Sequence, residues 1–243
     1  MAEAIRDLKE DHVITNKARL DCILNLIALF HVRHPLVRRN IAKTQANLAK
    51  MTMQLICASK ERYEETLRRM QMDGIEIGDV SFEQMKDFLE RDEYDIETAR
   101  ESHIEMELKA IGPVLEMLGA RNWTLLIASD TASQFITSDL PVTVSWNDPE
   151  NIPPFVRQRP GLGYAETEVF FPITRTLALL GTFEPVKEQI SLDRNSIAVL
   201  NSKTLCNAWS QVYAGDNKFE FIDHTGRIIT GNQLLDWLNI REQ

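Results

Sequence analysis

The stretch Trp123–Trp146, WTLLIASDTASQFITSDLPVTVSW, is where the chain changes character. Upstream of it, apolar residues recur every three or four positions. Within it they come in short runs rich in β-branched and aromatic residues: WTLLIA (123–128), QFIT (134–137) and VTVSW (142–146). Thr167–Ile173 (TEVFFPI) and Thr176–Leu180 (TLALL) continue the series, which predicts a small, mostly antiparallel sheet with tight connections. In the middle sits Ser138–Asp139. Leu140 precedes Pro141 and is pushed toward extended backbone. The segment therefore reads as a strand, a two-residue polar step and a strand again. Ser and Asp side chains take backbone N–H groups in turns, so Asp139 can simply lock this corner. The other reading holds Asp139 at the mouth of a pocket, where a carboxylate acts as a base, binds a metal or grips a basic partner.

Toward the N-terminus the pattern is helical. Leu20, Ile23, Leu24, Ile27, Leu29 and Phe30 predict a buried helix over about 17–33. Pro35 bends the chain near His34 and suits the first turn of a long helix over about 36–71. Ile41, Leu48, Met51, Leu55, Ala58, Tyr63, Leu67 and Met70 line one side of that helix. Met53, Ile56 and Cys57 form a second apolar face, so its middle is expected to be buried on two sides. Ser81 and Gln84 form a capping-box pattern that starts a short helix to about Arg91. A further helix over about 94–118 carries Ile104, Leu108, Ile111, Leu115 and Leu118, with a kink expected at Gly112–Pro113. Beyond the strands, residues 147–163 carry four prolines and no periodicity, which marks a functional loop or a flap. A helix over about 194–213, a hairpin around His224–Thr225–Gly226 and a last short helix over 233–240 complete the chain. The fold class is α+β: a helical part of about 1–120 packed on a sheet-containing part of about 121–243, taken as a single domain.

Composition sets limits on function. Of 243 residues, 44% are hydrophobic, enough for a substantial core. The longest apolar run, Cys22–Phe30, falls far short of the roughly 20 residues of a membrane helix, and the charged N-terminus shows no secretory signal. A soluble cytoplasmic protein is expected. Cys22, Cys57 and Cys206 are an odd, widely spaced set and read as buried free thiols. The histidines (His12, His31, His34, His103 and His224) have no metal-ligand spacing, so neither a metal nor a cofactor is expected. Nucleophile-elbow, dinucleotide and phosphate-loop glycine motifs are missing as well. The net charge of −9 argues against general nucleic-acid binding. It is unevenly spread: Cys22–Lys60 holds Arg33, Arg38, Arg39, Lys43, Lys50 and Lys60 and no acid, while Asp73–Glu116 holds fourteen acids against four bases. Complementary faces of neighbouring helices explain this. So does a phosphate or polyanion at Arg33–Lys43.

Arg33–His34–Pro35 after a buried helix, the Trp123-led strand, Phe135–Val142 (FITSDLPV), Phe171–Pro172–Ile173–Thr174 and Asn201 in a late helix occur in an order that resembles a mostly bacterial family catalogued as a domain of unknown function. The match runs over about residues 17–215. Two positions depart from the family pattern: Leu140 replaces an Asn, and Arg175 stands where the second motif has proline. The family's N-terminal His-x-x-Pro segment is not found. The resemblance implies an α+β fold and nominates Arg33, Ser138, Asp139 and Asn201 as binding residues, with Asp139 as the catalytic candidate.

Two function classes follow. One is a non-catalytic binding or interaction module in which Arg33 and Asp139 form a structural ion pair and the partner is a small anion or a protein. The other is a hydrolase-like enzyme for a phosphate-containing or other anionic substrate, with Asp139 and Arg33 in its pocket. The sequence sets no oligomeric state.

Overall fold

The computed structural model describes residues 1–33, 35–92, 94–96, 100–129, 134–157, 160–185 and 187–241. They fall into two compact units, Met1–His34 with Lys109–Gln243, and Pro35–Leu108. In chain order, α1 (Ala2–Asp11) and α2 (Lys17–Val32) belong to the first unit, and α3 (Pro35–Ile56), α4 (Lys60–Met72) and α5 (Phe82–Arg91) to the second. Helix α6 (Arg100–Gly119) enters the first unit at Lys109. There follow β1 (Asn122–Ala128), β2 (Thr137–Ser138), β3 (Thr143–Trp146), the single-turn α7 (Pro154–Arg157), β4 (Thr167–Pro172), β5 (Leu177–Thr182), β6 (Gln189–Leu192), α8 (Arg194–Asn207), β7 (Val212–Tyr213), β8 (Glu220–Ile222), β9 (Ile228–Thr230) and α9 (Leu234–Arg241). The fold is α+β. No single helix among the described residues is long and apolar enough to cross a membrane.

The core of the first unit is a five-stranded sheet in the order β3-β4-β5-β1-β6. Its pairs are antiparallel except β1–β6, which run parallel and make the sheet mixed. The two-residue period of a strand sends neighbours to opposite faces. Trp123, Leu125, Val169, Phe171, Leu177 and Leu179 point to one side, where Ile23, Leu24, Ile27 and Ala28 of α2, Leu8 of α1 and Val114 and Leu118 of α6 cover them. Leu126, Phe170 and Ala178 point to the other, against Ile197 and Leu200 of α8. A third cluster joins Ile136 and Leu205 to Phe219, Phe221 and Trp237 of the C-terminal hairpin and α9.

Polar side chains start these helices. Asn16 caps α2, Asp193 caps α8, and Ser81 and Gln84 form the expected reciprocal box on α5. The long helix expected over 36–71 is two helices. Ser59 adopts extended backbone and caps α4 by accepting from the Arg62 N–H, which ends α3 at Ile56. In this second unit Arg38 pairs with Glu107, Lys50 with Asp92 at 2.6 Å and Lys60 with Glu83 at 3.8 Å. The acid-free window thus faces the acidic one through exposed pairs, each worth about 0–1 kcal/mol. Leu48, Met51 and Leu55 of α3 are exposed, not the buried stripe that periodicity implies. The three cysteines are free, but only Cys57 is buried.

Two further corrections concern the last third. Helix α8 ends at Asn207 instead of near 213, because Ala208 takes extended backbone (φ −58°, ψ 138°) and the chain turns back as β7. Strand β6, four residues not expected as a strand from the sequence, pairs with β1 at the sheet edge. In the proline-rich loop, Trp146 donates its indole N–H to the Arg157 carbonyl, and the Arg157 guanidinium returns to the Glu150 and Ile152 carbonyls. Arg121, 5% exposed, anchors the end of that loop through the Leu162, Thr167 and Gly181 carbonyls and the Thr167 hydroxyl. Burial pushes its guanidinium down to about 10, still a cation at neutral pH.

Trp123 lies across Gly181 on the paired strand, so that a Cβ on Gly181 would sit 2.8–2.9 Å from the indole ring. Gly181→Val is therefore expected to destabilise the chain by about 1–3 kcal/mol through overpacking, read as a lower urea midpoint at unchanged slope.

Candidate functional site

Residues 134–142 form no strand of the five-stranded sheet, yet all of them are buried or half-buried. Buried backbone must find hydrogen-bond partners. Here most come from outside any sheet ladder. The Phe135 N–H donates to the Arg175 carbonyl at 2.8 Å, and the Ile136 N–H to Asn201 Oδ1 at 3.1 Å. Asn201 Nδ2 donates back to the Gln134 carbonyl at 2.9 Å and also to the Glu220 carbonyl at 2.8 Å. Thr137–Ser138 form the short ladder β2 with β7, and the Asp139 N–H continues it to the Gln211 carbonyl. Asn207 Nδ2 then donates to the Leu140 and Val142 carbonyls at 2.8 and 3.2 Å. The extended segment is thus stitched to α8 by two asparagine amides, one turn and a half apart on a single helix.

Within that frame, Ser138 Oγ accepts from the Leu140 N–H at 3.2 Å, the local turn bond that a short hydroxyl makes two residues on. Asp139 accepts from the Trp209 N–H (3.0 Å), the Ser210 N–H (2.8 Å) and the Ser210 hydroxyl (3.0 Å). It therefore fixes the turn that carries the chain from α8 into β7. Burial pushes the Asp139 carboxyl up, but the backbone N–H groups of Trp209 and Ser210, the Ser210 hydroxyl and the Gln211 backbone outweigh it, and the group lies below its ordinary value.

Arg33 stands elsewhere. It follows the last turn of α2 as an exposed side chain, and among the described residues no ion pair joins it to Asp139. The expected Arg33–Asp139 pair is corrected: donors from the 209–210 turn occupy the carboxylate instead. Asn201, fully buried, is engaged by its backbone partners and lines neither of the two cavities that border the segment. The structure therefore places Ser138 and Asp139 on the 134–142 segment, ties Asn201 of α8 to the same segment, and leaves Arg33 out of their hydrogen-bond network.

Ser138 and Asp139 do border a cavity of about 430 Å³, within the range of roughly 300–1,000 Å³ typical of small-ligand sites. Its walls are mostly apolar. Ile5 comes from α1, Leu26 and Phe30 from α2, Phe171–Pro172–Ile173 from the end of β4, and Thr137, Pro141 and Tyr213 complete it. A second hollow of about 240 Å³ shares Thr137, Pro172, Ile173 and Tyr213 with the first and leads on to Arg175, Ala214 and Gly215. The two hollows adjoin along those four shared residues as a two-part trough. Sequence reading missed Asn207, Tyr213 and Gly215. Its one signal for the far end was the cation of Arg175 directly after Phe171–Pro172–Ile173–Thr174.

A family model described as a protein of unknown function (DUF4238) matches residues 1–218. No curated protein and no solved structure matches the chain.

Two outcomes test the stitching. Asn201→Ala leaves the Ile136 N–H and the Gln134 and Glu220 carbonyls without their partner, and a loss of about 3–5 kcal/mol is expected in urea denaturation. Asp139→Asn is expected to cost about 1.5–3 kcal/mol at neutral pH. Because the folded state lowers the Asp139 pKa, its contribution is fully present above the unfolded value of about 4 and is lost as pH falls through the folded one. The gap between the parent and Asp139→Asn should therefore hold steady above pH ~5 and close below pH ~4.

Proposed function

The chain belongs to that family of proteins of unknown function, and we propose that it is a non-catalytic binding module whose ligand lies in the trough beside Ser138–Asp139. The observation that carries this reading is the state of Asp139. Its oxygens already accept three hydrogen bonds from Trp209 and Ser210, which favour the ionised form and hold the group in place. A general base needs a pKa near the working pH and a free line to the substrate proton, and both conditions work against Asp139. The remaining wall is built of prolines, aromatics and aliphatic side chains, the lining of a binding cavity. Both readings drew on Arg33 beside Asp139, as a structural pair in the module and as an anion clamp in the hydrolase, and among the described residues no ion pair joins the two, so the module proposed here rests on the cavity and not on that pair.

Tyr213 and Phe30 line the trough while remaining 50% and 43% exposed, so they can be changed with little disturbance of the core. Titration of the full chain with the neutral apolar fluorophore N-phenylnaphthylamine is expected to show saturable binding. Tyr213→Glu and Phe30→Glu are expected to weaken it about tenfold or more, since each puts a charge against an apolar ligand. Equal binding by parent and both variants, or no binding by the parent, overturns the trough as a ligand site. Phosphodiester hydrolysis by the parent that Asp139→Ala abolishes would overturn the non-catalytic reading.

A further inference from the structure

The two ends of the trough differ in charge, and that difference names a ligand class. At the Phe30 end the wall is apolar, and the one ionised group, Asp139, is engaged by the 209–210 turn. At the other end stands Arg175, exposed at the turn between β4 and β5. Among the described residues, no hydrogen bond or ion pair engages its guanidinium. The nearest acid along the neighbouring segment, Asp216, is turned to Gln134 Nε2 and to the Lys218 N–H, both at 2.7 Å.

The Arg175 side chain lies close over Gly215, so that a Cβ there would fall 2.5 Å from Arg175 Cδ and 3.1 Å from one of its Nη atoms. The missing side chain leaves room for the arginine along the rim. A cation at one end of an apolar groove complements a molecule with an apolar body and an anionic end. The planar guanidinium fork suits a carboxylate best, since two parallel N–H groups can meet its two oxygens.

Building on the trough as a ligand site, we propose that it takes an amphiphilic carboxylate, with the carboxylate on Arg175 and the hydrocarbon body running past Tyr213 and Ile173 toward Phe30. Arg175 is then a specificity residue, and Gly215 positions it. Arg33 plays no part. It lines neither hollow.

The test is displacement of N-phenylnaphthylamine from the full chain by dodecanoate, dodecanol and dodecylamine, each below its critical micelle concentration. Dodecanoate is expected to displace the probe at about tenfold lower concentration than dodecanol, the effect of one charge-assisted contact, and dodecylamine at higher concentration than either. Arg175→Gln should erase the advantage of dodecanoate and leave dodecanol unchanged. Gly215→Ala, which displaces the arginine without removing it, should reduce the same advantage, and Arg33→Gln should leave it intact. A probe displaced equally by dodecanoate and dodecanol overturns the carboxylate assignment and leaves the trough standing. So does a dodecanoate advantage that survives Arg175→Gln or vanishes in Arg33→Gln. A probe that binds parent, Tyr213→Glu and Phe30→Glu alike removes the trough itself, and this inference with it.

Discussion

A buried, extended segment without a full set of strand neighbours is the constraint on which this structure turns. Residues 134–142 run between the sheet and α8, and only Thr137–Ser138 have a ladder partner. The rest of the backbone must be satisfied by side chains or by isolated carbonyls, because leaving a buried donor or acceptor unmade costs about 1–3 kcal/mol each. Two asparagines on α8 meet that need, with Asn201 bridging three backbone groups at once. They also explain why α8 carries polar residues where its packing face should be apolar. Asn201 and Thr204 are fully buried among Ile197, Ala198 and Leu200, and the helix shows no clean apolar stripe.

The same constraint shapes the trough. Because 134–142 is tied to α8 on one side, its other side is free to form a wall, and β7 returns along it only because Asp139 holds the preceding turn. A wall tied this way is preorganised. Binding then has less ordering to do, which is the main cost when a flexible loop closes on a ligand. The Arg121 anchor acts alike at the proline-rich loop, where one buried guanidinium collects carbonyls from Leu162, Thr167 and Gly181.

Much of the fold was legible because it rests on periodicity. Apolar residues three and four apart place α2, and short apolar runs rich in β-branched and aromatic residues place β1, β3, β4 and β5, with Phe170 and Phe171 sent to opposite cores. Where a single residue decides an element's end, periodicity is blind. Ser59 splits the long helix, and Ala208 ends α8 well before its apolar pattern fades. Strand β6 was hidden for another reason: its alternation over Gln189–Leu192 lasts only four residues and runs straight into the cap of α8, so its parallel pairing with β1 is what defines it. For the candidate site, the sequence singled out the 134–142 segment but not the hydrogen bonds along it. Ser138, Asp139 and Asn201 do lie together, while Arg33 lies apart, since nothing in linear order says which way the end of α2 faces.

That pattern has a physical origin. Short polar side chains between apolar runs attract functional readings because they look out of place, yet those are the positions where a chain most needs groups to satisfy its own backbone. Serine, aspartate and asparagine reach only a few ångströms, so their first partners are neighbouring N–H and carbonyl groups. The more buried such a residue is, the more completely the fold consumes it: Asn201 is used up entirely, and Asp139 keeps little capacity beyond the 209–210 turn. Recognition is left to polar groups that the backbone does not need. Along this trough the group that meets that test is a long cation on a turn, Arg175, lying across a glycine that has no side chain to push it aside.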